Sequence, residues 1–247
     1  MKKQAALLLA TVLLVAAAPP VQAQRWQELF NGRDLDGWTP LFPDRPNDWQ
    51  VASAVPVNSA DPKLLEIIPL KPGGRGVLVN GAKGKTVNLI TVAQHADVEA
   101  EVEFVVPKGS NSGVYFMGLY EVQILDSFGK PNDKLEYGDC GGIYCQWIDN
   151  KPVGGEPPRV NASKAPGQWQ SFHVWFRAPR FDAGGKKIEN ARFIKVIHNS
   201  VVVHENYEVA GRTRAHMEKP EAATGPLMIQ GDHGPVAFRT IRIRPLK

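Results

Sequence analysis

Three side chains of this chain have the types and spacing for acid–base chemistry. Glu121 and Gln123 stand two residues apart, and His233 lies in the segment Gln230-Gly231-Asp232-His233-Gly234. The first two belong to residues 111–129, NSGVYFMGLYEVQILDSFG. Val114, Phe116, Tyr120, Val122 and Ile124 share the even parity there, and Tyr115, Met117, Glu121 and Gln123 the odd. Successive side chains of a strand point to opposite faces. A strand here aims Glu121 and Gln123 at one surface and leaves the apolar set for a core. A carboxylate beside an amide serves as a general base with a hydrogen-bonding orienter. As residue types alone, Glu and Gln are equally ordinary on a solvated outer face.

His233 sits at a predicted turn, where an imidazole acts as acid or base near neutral pH. Asp232 cannot face the same way in a strand but can in a turn. Gln230, in the same segment, is a candidate contact to a bound ligand, as is Asp232. His173, His198 and His204 fall in or beside strands and read as half-buried; His95 and His216 read as loop residues. Asp126 has the opposite parity to Glu121 and, with Ser127 after it, reads as a turn cap. Most glycosidases flank the scissile bond with two carboxylates. The strand of Glu121 offers no second one on its face, and the ExDxxE strand of laminarinase-type glucanases is absent, which counts against a conventional retaining glycosidase. Tyr115, Tyr144, Trp147 and Trp38 are candidates for stacking on a sugar ring, with core packing the competing role, above all for Trp38. Arg177 and Arg180, flanking Pro179, read as salt-bridge residues. Asn161-Ala162-Ser163 fits a glycosylation sequon.

The elements that must position these groups read as β throughout. Gly and Pro, 23 and 20 of the 247 residues, are spread evenly, and no helical period persists beyond one or two turns. Short alternating runs bounded by Gly, Pro, Asn and Asp argue for a sandwich or barrel. Predicted strands include 97–106, 113–116, 120–126, 143–147, 169–177, 191–198, 201–207, 226–230 and 236–244. His198-Asn199-Ser200 joins two of them as a hairpin, since Asn tolerates a left-handed backbone. Residues 231–234 are expected to make a second hairpin. The apolar parity slips by one near Arg239-Thr240, which predicts a bulge. Residues 149–166 and 211–223 read as long loops, of the kind that often bind ligands.

The chain opens Met-Lys-Lys, followed by an apolar run and Val21-Gln22-Ala23. That pattern is a secretory signal peptide over residues 1–23, with an apolar run too short for a comfortable membrane span. The expectation is a periplasmic or secreted protein with one β-sandwich domain over 24–247 and no transmembrane segment. The formal charge of +4 includes two lysines of the leader, and the remaining Arg and Lys are scattered. Nucleic-acid binding has little support. Cys140 and Cys145 would form a disulfide only if Gly141-Gly142 turned the chain sharply, because an extended strand separates them too far.

Six segments resemble, in order, the 3-keto-disaccharide hydrolase family: LFNGRDLDGW at 29–38, the stretch 111–129, CGGIY, NASKAPGQWQ, FRAPRFD and GPLMIQGDHGPVAFRTIRIRPL. The resemblance covers residues 26–247. It implies an all-β fold, a concanavalin A-like jelly-roll β-sandwich of two antiparallel sheets. It also implies cleavage of 3-keto-glycosides, by hydrolysis or by 1,2-elimination and hydration, with an oxidised disaccharide or glucoside as the carbohydrate partner. A ketone at C3 acidifies the C2 proton, so the reaction needs a base, an enolate stabiliser and an acid. Glu121 suits the base, Gln123, Tyr115 or a divalent cation the stabiliser, and His233 the acid. A structural or catalytic divalent cation is therefore a candidate cofactor. Many relatives carry Arg where this chain has Met117 and Leu119. The alternative function is a non-catalytic carbohydrate-binding β-sandwich.

Overall fold

A computed structural model describes residues 25–246; the leader assigned to 1–23 lies outside them. All strand pairs among the described residues are antiparallel and fall mainly into two sheets. The larger, nine-stranded sheet runs Val201–Val209, Ala191–His198, Gln170–Arg177, Val98–Val105, Ala237–Pro245, Val77–Val79, Gln50–Ala54, Ile68–Pro69, with Gln27–Glu28 also on Ala237–Pro245. The smaller sheet has five strands in the order Trp38–Pro40, Leu89–Thr91, Met228–Ile229, Asn111–Phe116, Tyr120–Leu125. Among the described residues the one helical element is a 3-10 turn at Asn132–Lys134. No described helix is long and apolar enough to cross a membrane.

The core lies between the sheets and is filled as the even parity of 111–125 requires. Phe116 packs on Phe176 and Phe193 of the larger sheet, with ring centroids 5.0 and 5.5 Å apart, and Tyr120 lies 5.6 Å from Phe176. Such pairs add about 0.5–1.5 kcal/mol beyond their buried area, so the apolar face of the hairpin 111–125 also fixes its polar face in space. Trp38 belongs to this core, donating its indole N–H to the Leu29 carbonyl at 2.8 Å.

Several local expectations are met. His198 and Val201 pair directly across Asn199 (φ 48°) and Ser200 (φ 69°), the left-handed pair that a tight hairpin turn needs. The register of Ala237–Pro245 slips between Phe238 and Thr240, a bulge at the parity change. Arg177 pairs with Glu189 at 2.9 Å and Arg180 with Asp97. Asp126 caps a turn, accepting the Gly109 N–H at 2.8 Å. Asn161 is tied down by its own amide, which donates to the Ser127 and Lys130 carbonyls at 2.6 and 2.9 Å.

Two expectations are overturned. Residues 231–234 do not close a hairpin: Met228–Ile229 pairs within the smaller sheet and Ala237–Pro245 within the larger. The segment carries the chain from one sheet to the other. Residues 149–166 are not all loop: Lys151–Val153 pairs with Gln146–Ile148 across Asp149 and Asn150, at φ 50° and 60°. Cys140 and Cys145 are both buried and unbridged, although Gly141, at φ 87°, does turn the chain between them.

Candidate active site

The odd face of the hairpin 111–125 looks away from the core and floors a pocket of about 350 Å³. Its turn is formed by Met117 (φ 58°) and Gly118 (φ 68°), closed by the Leu119 N–H donating to the Phe116 carbonyl at 3.0 Å. This sets a register in which Tyr115 stands directly opposite Glu121, and Gly113 opposite Gln123. Directly opposed residues on one face lie within reach of each other. Gly113 has a specific reason to lack a side chain, because a Cβ there would collide with the Glu121 carboxylate. The carboxylate therefore lies down over the neighbouring strand, beside the Tyr115 phenol.

Three further segments wall the pocket. Residues 141–144 extend the sheet past Tyr120–Leu125, with the Gln123 N–H bonded to the Gly142 carbonyl at 2.9 Å and the Tyr144 N–H to the Glu121 carbonyl at 3.2 Å. Gln230 follows Met228–Ile229 and donates its N–H to the Gly113 carbonyl at 3.0 Å. The crossing segment after it is held by the fully buried Asn80. That amide donates to the Gly231 and Gly234 carbonyls at 3.0 and 2.8 Å and accepts the Val236 N–H at 2.8 Å. His233 is presented from this crossing. The third wall is the segment 211–217, laid over the hairpin turn: the Thr213 N–H reaches the Leu119 carbonyl at 2.9 Å, the Arg214 N–H the Cys145 carbonyl at 2.8 Å, and the Met217 N–H the Gly118 carbonyl at 2.9 Å. Ala215 in this segment adopts φ 61°, a left-handed conformation that costs a non-glycine residue about 1 kcal/mol.

The electrostatics single out Glu121. Burial pushes its pKa up to about 8, with the Tyr115 hydroxyl pulling it partly back and the charge of Asp232 raising it further. Tyr115 is itself held well above the ordinary phenol range by burial and by the Glu121 charge. Tyr144 is raised in the same direction, again by burial first. For Asp232 burial acts upward, but the His233 hydrogen bond and charge and the Lys85 charge hold the carboxyl below the usual range. His233 Nδ1 lies 2.6 Å from Asp232 Oδ1. Donating its proton there leaves Nε2 to exchange a proton with a ligand. Two acceptors, Gln123 Oε1 and Asn111 Oδ1, are buried with no hydrogen-bond partner. Buried polar atoms are rarely left so, and these two belong to pocket-lining side chains, where a ligand's hydroxyl groups would satisfy them.

Of the residues singled out in the sequence, Glu121, Gln123, His233, Tyr115, Tyr144 and Gln230 line this one pocket. Asp232 stands behind His233 and faces a neighbouring cavity with Lys85 and Arg45. Trp147 is 43% exposed and lies in the next cavity along, its ring 4.0 Å beneath the Arg214 guanidinium. Three lining residues escaped the sequence reading, Asn111, Arg214 and Ala215. Asn111 shares the odd parity of Tyr115 and Glu121, so a signal existed; Arg214 sits in a segment without a strand period and gave none. Met117 and Leu119, where the family pattern carries Arg, are buried at the hairpin turn and do not line the pocket. Among the described residues no three His, Cys, Asp or Glu side chains gather to hold a metal ion. The candidate divalent cation thus has no such ligand set ready.

Fold and site together define a two-sheet β-sandwich with a buried carboxyl, its pKa raised by burial, in a pocket on the outer face of its smaller sheet. The sequence assigns the chain more closely: residues 25–244 match the 3-keto-alpha-glucoside-1,2-lyase-like domain, and the chain belongs to that family. No curated protein matches it. Three solved structures from Parabacteroides distasonis, provisionally designated glycosyl hydrolases, share the fold. One is 23% identical with a TM-score of 0.59, covering 94% of each chain. A second is 18% identical with a TM-score of 0.53, covering 90% of this chain and 94% of its own. The third is 20% identical with a TM-score of 0.51, covering 90% and 100%. The architecture is the concanavalin A-like sandwich expected from the sequence.

Proposed function

We propose that this protein is an exported, carbohydrate-active enzyme that cleaves 3-keto-glycosides by elimination across C1 and C2. The observation that carries the reading is Glu121: a carboxyl buried in a pocket, titrating near 8, opposite a phenol and beside unpartnered amide oxygens. A binding surface gains nothing from a carboxyl kept so costly. A general base works best when its pKa lies near the working pH, and family membership supplies the substrate class.

In this mechanism the Glu121 carboxylate removes the C2 proton, made acidic by the C3 ketone. The electron pair forms the C1–C2 double bond as the C1–O bond breaks, passing through an enolate at C3. The Tyr115 hydroxyl and the Arg214 guanidinium line the pocket as donors to that oxygen, stabilising charge where it develops. His233, oriented by Asp232, gives its proton to the departing oxygen. Gln123, Asn111 and Gln230 hold the remaining hydroxyls. Addition of water to the resulting enol ether completes a net hydrolysis. Residues 1–23 carry the chain across the membrane and are removed after Ala23, which N-terminal sequencing of the mature protein would establish.

The test is release of the alcohol from 3-keto-trehalose or a 3-keto-glucoside, by wild type and by Glu121→Gln. Turnover by wild type and its loss in the variant is the expected result. Equal rates would remove Glu121 as the base. Tight binding of the sugar with no turnover by either would reassign the chain to carbohydrate binding.

A further inference from the structure

The cavity on the far side of Arg214 is not used by the chemistry above. It has a volume of about 500 Å³ and shares Arg214 and Ala215 with the Glu121 pocket, so the two adjoin across that segment. Its lining includes accessible apolar side chains: Trp147 and Ile148 are 43% and 46% exposed, with the Arg214 guanidinium over one face of the Trp147 ring. Its rim is cationic. Along 211–217 the buried Gly211, Thr213 and Met217 alternate with Arg212, Arg214 and His216, which remain accessible. The carboxylate nearby, Glu221, is already matched, with Lys187 at 2.8 Å and the Tyr120 hydroxyl at 2.6 Å. Arg212 and Arg214 form no ion pair with a described residue. His216 spends Nδ1 on the Met217 carbonyl at 2.6 Å, leaving Nε2 for a ligand. The wall is fixed in place, since Gly211 packs so tightly on Gln146 that a Cβ would collide with its amide.

We infer that this cavity is the leaving-group subsite and that it takes a flat aglycone bearing an acidic group, a phenolic acid being the simplest such class. The apolar lining suits a planar ring, which stacks on an aromatic or guanidinium face. Arg212 suits a carboxylate on its far edge, with Nε2 of His216 on the same rim. Position supports the assignment, because this cavity lies directly beside the Glu121 pocket, across Arg214 and Ala215, within reach of a group departing from C1. The inference rests on the elimination reading for its meaning but not for its measurement.

Two arms keep them separate. In the first, 4-hydroxybenzoate and phenol are titrated calorimetrically into the full-length mature protein. Saturable binding of the acid, at least tenfold weaker in Arg212→Gln, weaker in Trp147→Ala and weak for phenol, is expected; a charge-assisted hydrogen bond lost at the rim has about that size. In the second, KM is measured for the 3-keto-glucosides of 4-hydroxybenzoate and of its methyl ester. Arg212→Gln is expected to raise KM about tenfold for the acid and less than twofold for the ester, with kcat unchanged. Comparing variants on one substrate cancels differences in leaving-group reactivity. No binding of the acid, or equal effects of Arg212→Gln on acid and ester, would overturn the subsite. Absence of turnover with the binding arm intact would instead overturn the elimination reading alone.

Discussion

Two strands of this molecule carry polar side chains at alternate positions, and the fold treats their carboxylates in opposite ways. On Val98–Val105, Glu99, Glu101 and Glu103 face outward from the larger sheet, and each meets an arginine of Ala237–Pro245: Arg244 at 2.7 Å, Arg242 at 2.5 Å and Arg239 at 2.7 Å. On Tyr120–Leu125, Glu121 meets Tyr115 and Gln123 meets a glycine. Burial acts to raise Glu99, yet Arg244 and His173 hold it below the ordinary range. Burial of Glu121 finds no cation to oppose it, and the carboxyl rises to about 8. What separates a carboxyl with a lowered pKa from one with a raised pKa here is the residue across the strand pair, not the alternation itself.

Removing the Glu121 carboxyl is the hardest test of that contrast. Glu121→Gln keeps the shape and is expected to lower kcat/KM by about 10²–10⁴-fold, the usual worth of a general base. Gly113→Ala leaves Glu121 in the chain but pushes its carboxyl off the neighbouring strand. A displacement of about 1 Å costs on the order of 10²-fold in rate, with thermal denaturation showing that the fold survives. The pH dependence comes next. As a base, Glu121 acts only when ionised, so kcat/KM should rise by up to about tenfold per pH unit and level off above the pKa of about 8. A profile that falls through this range would make Glu121 the acid instead.

Stability should divide in the same way, with smaller effects. The folded pKa of Glu121 lies above its unfolded value, so its contribution is fully favourable below pH 4.5 and is lost as pH rises through about 8. Glu121→Gln should abolish that loss and stabilise the protein at pH 9 by on the order of 1–3 kcal/mol, read from denaturant midpoints. The lowered pKa of Glu99 acts with the opposite sign: its contribution is present above the unfolded value and lost in acid. The smallest effect is expected from Arg242→Met in the ladder. Its pair with Glu101 is about a third exposed, and such pairs are worth roughly 0–1 kcal/mol. Turnover should not change.

The hairpin of the site was legible in the sequence because its parity is local: one count of odd and even positions separates core from pocket. The turn at His198–Val201 was legible for the same reason. Membership of a sheet is not local. Met228–Ile229 is two residues long, and nothing within 226–236 tells that its partners lie at Leu89–Thr91 and Asn111–Phe116 while Ala237–Pro245 pairs elsewhere. The crossing therefore reads as a hairpin until the partners are known. Arg214 was invisible because its place depends on backbone bonds to Cys145, Leu119 and Gly118 made by its own segment, contacts between regions about 70–100 residues apart. The hairpin at Asp149-Asn150 was passed over even though both residue types favour a left-handed backbone.

The segment 230–236 is at once the seam between the two sheets and the carrier of His233, and Asn80 fastens both through one side chain. The segment 211–217 is fastened by its own main chain and by the Thr213 hydroxyl, which accepts the Glu121 N–H at 3.1 Å and donates to the Leu119 carbonyl at 3.0 Å, so the Arg214 side chain is free of that duty. Selection therefore meets the first as a single trait, in which a loss of closure is also a loss of the placement of His233. It meets the second as a replaceable part, in which Arg214 can change while the backbone that carries it is inherited whole.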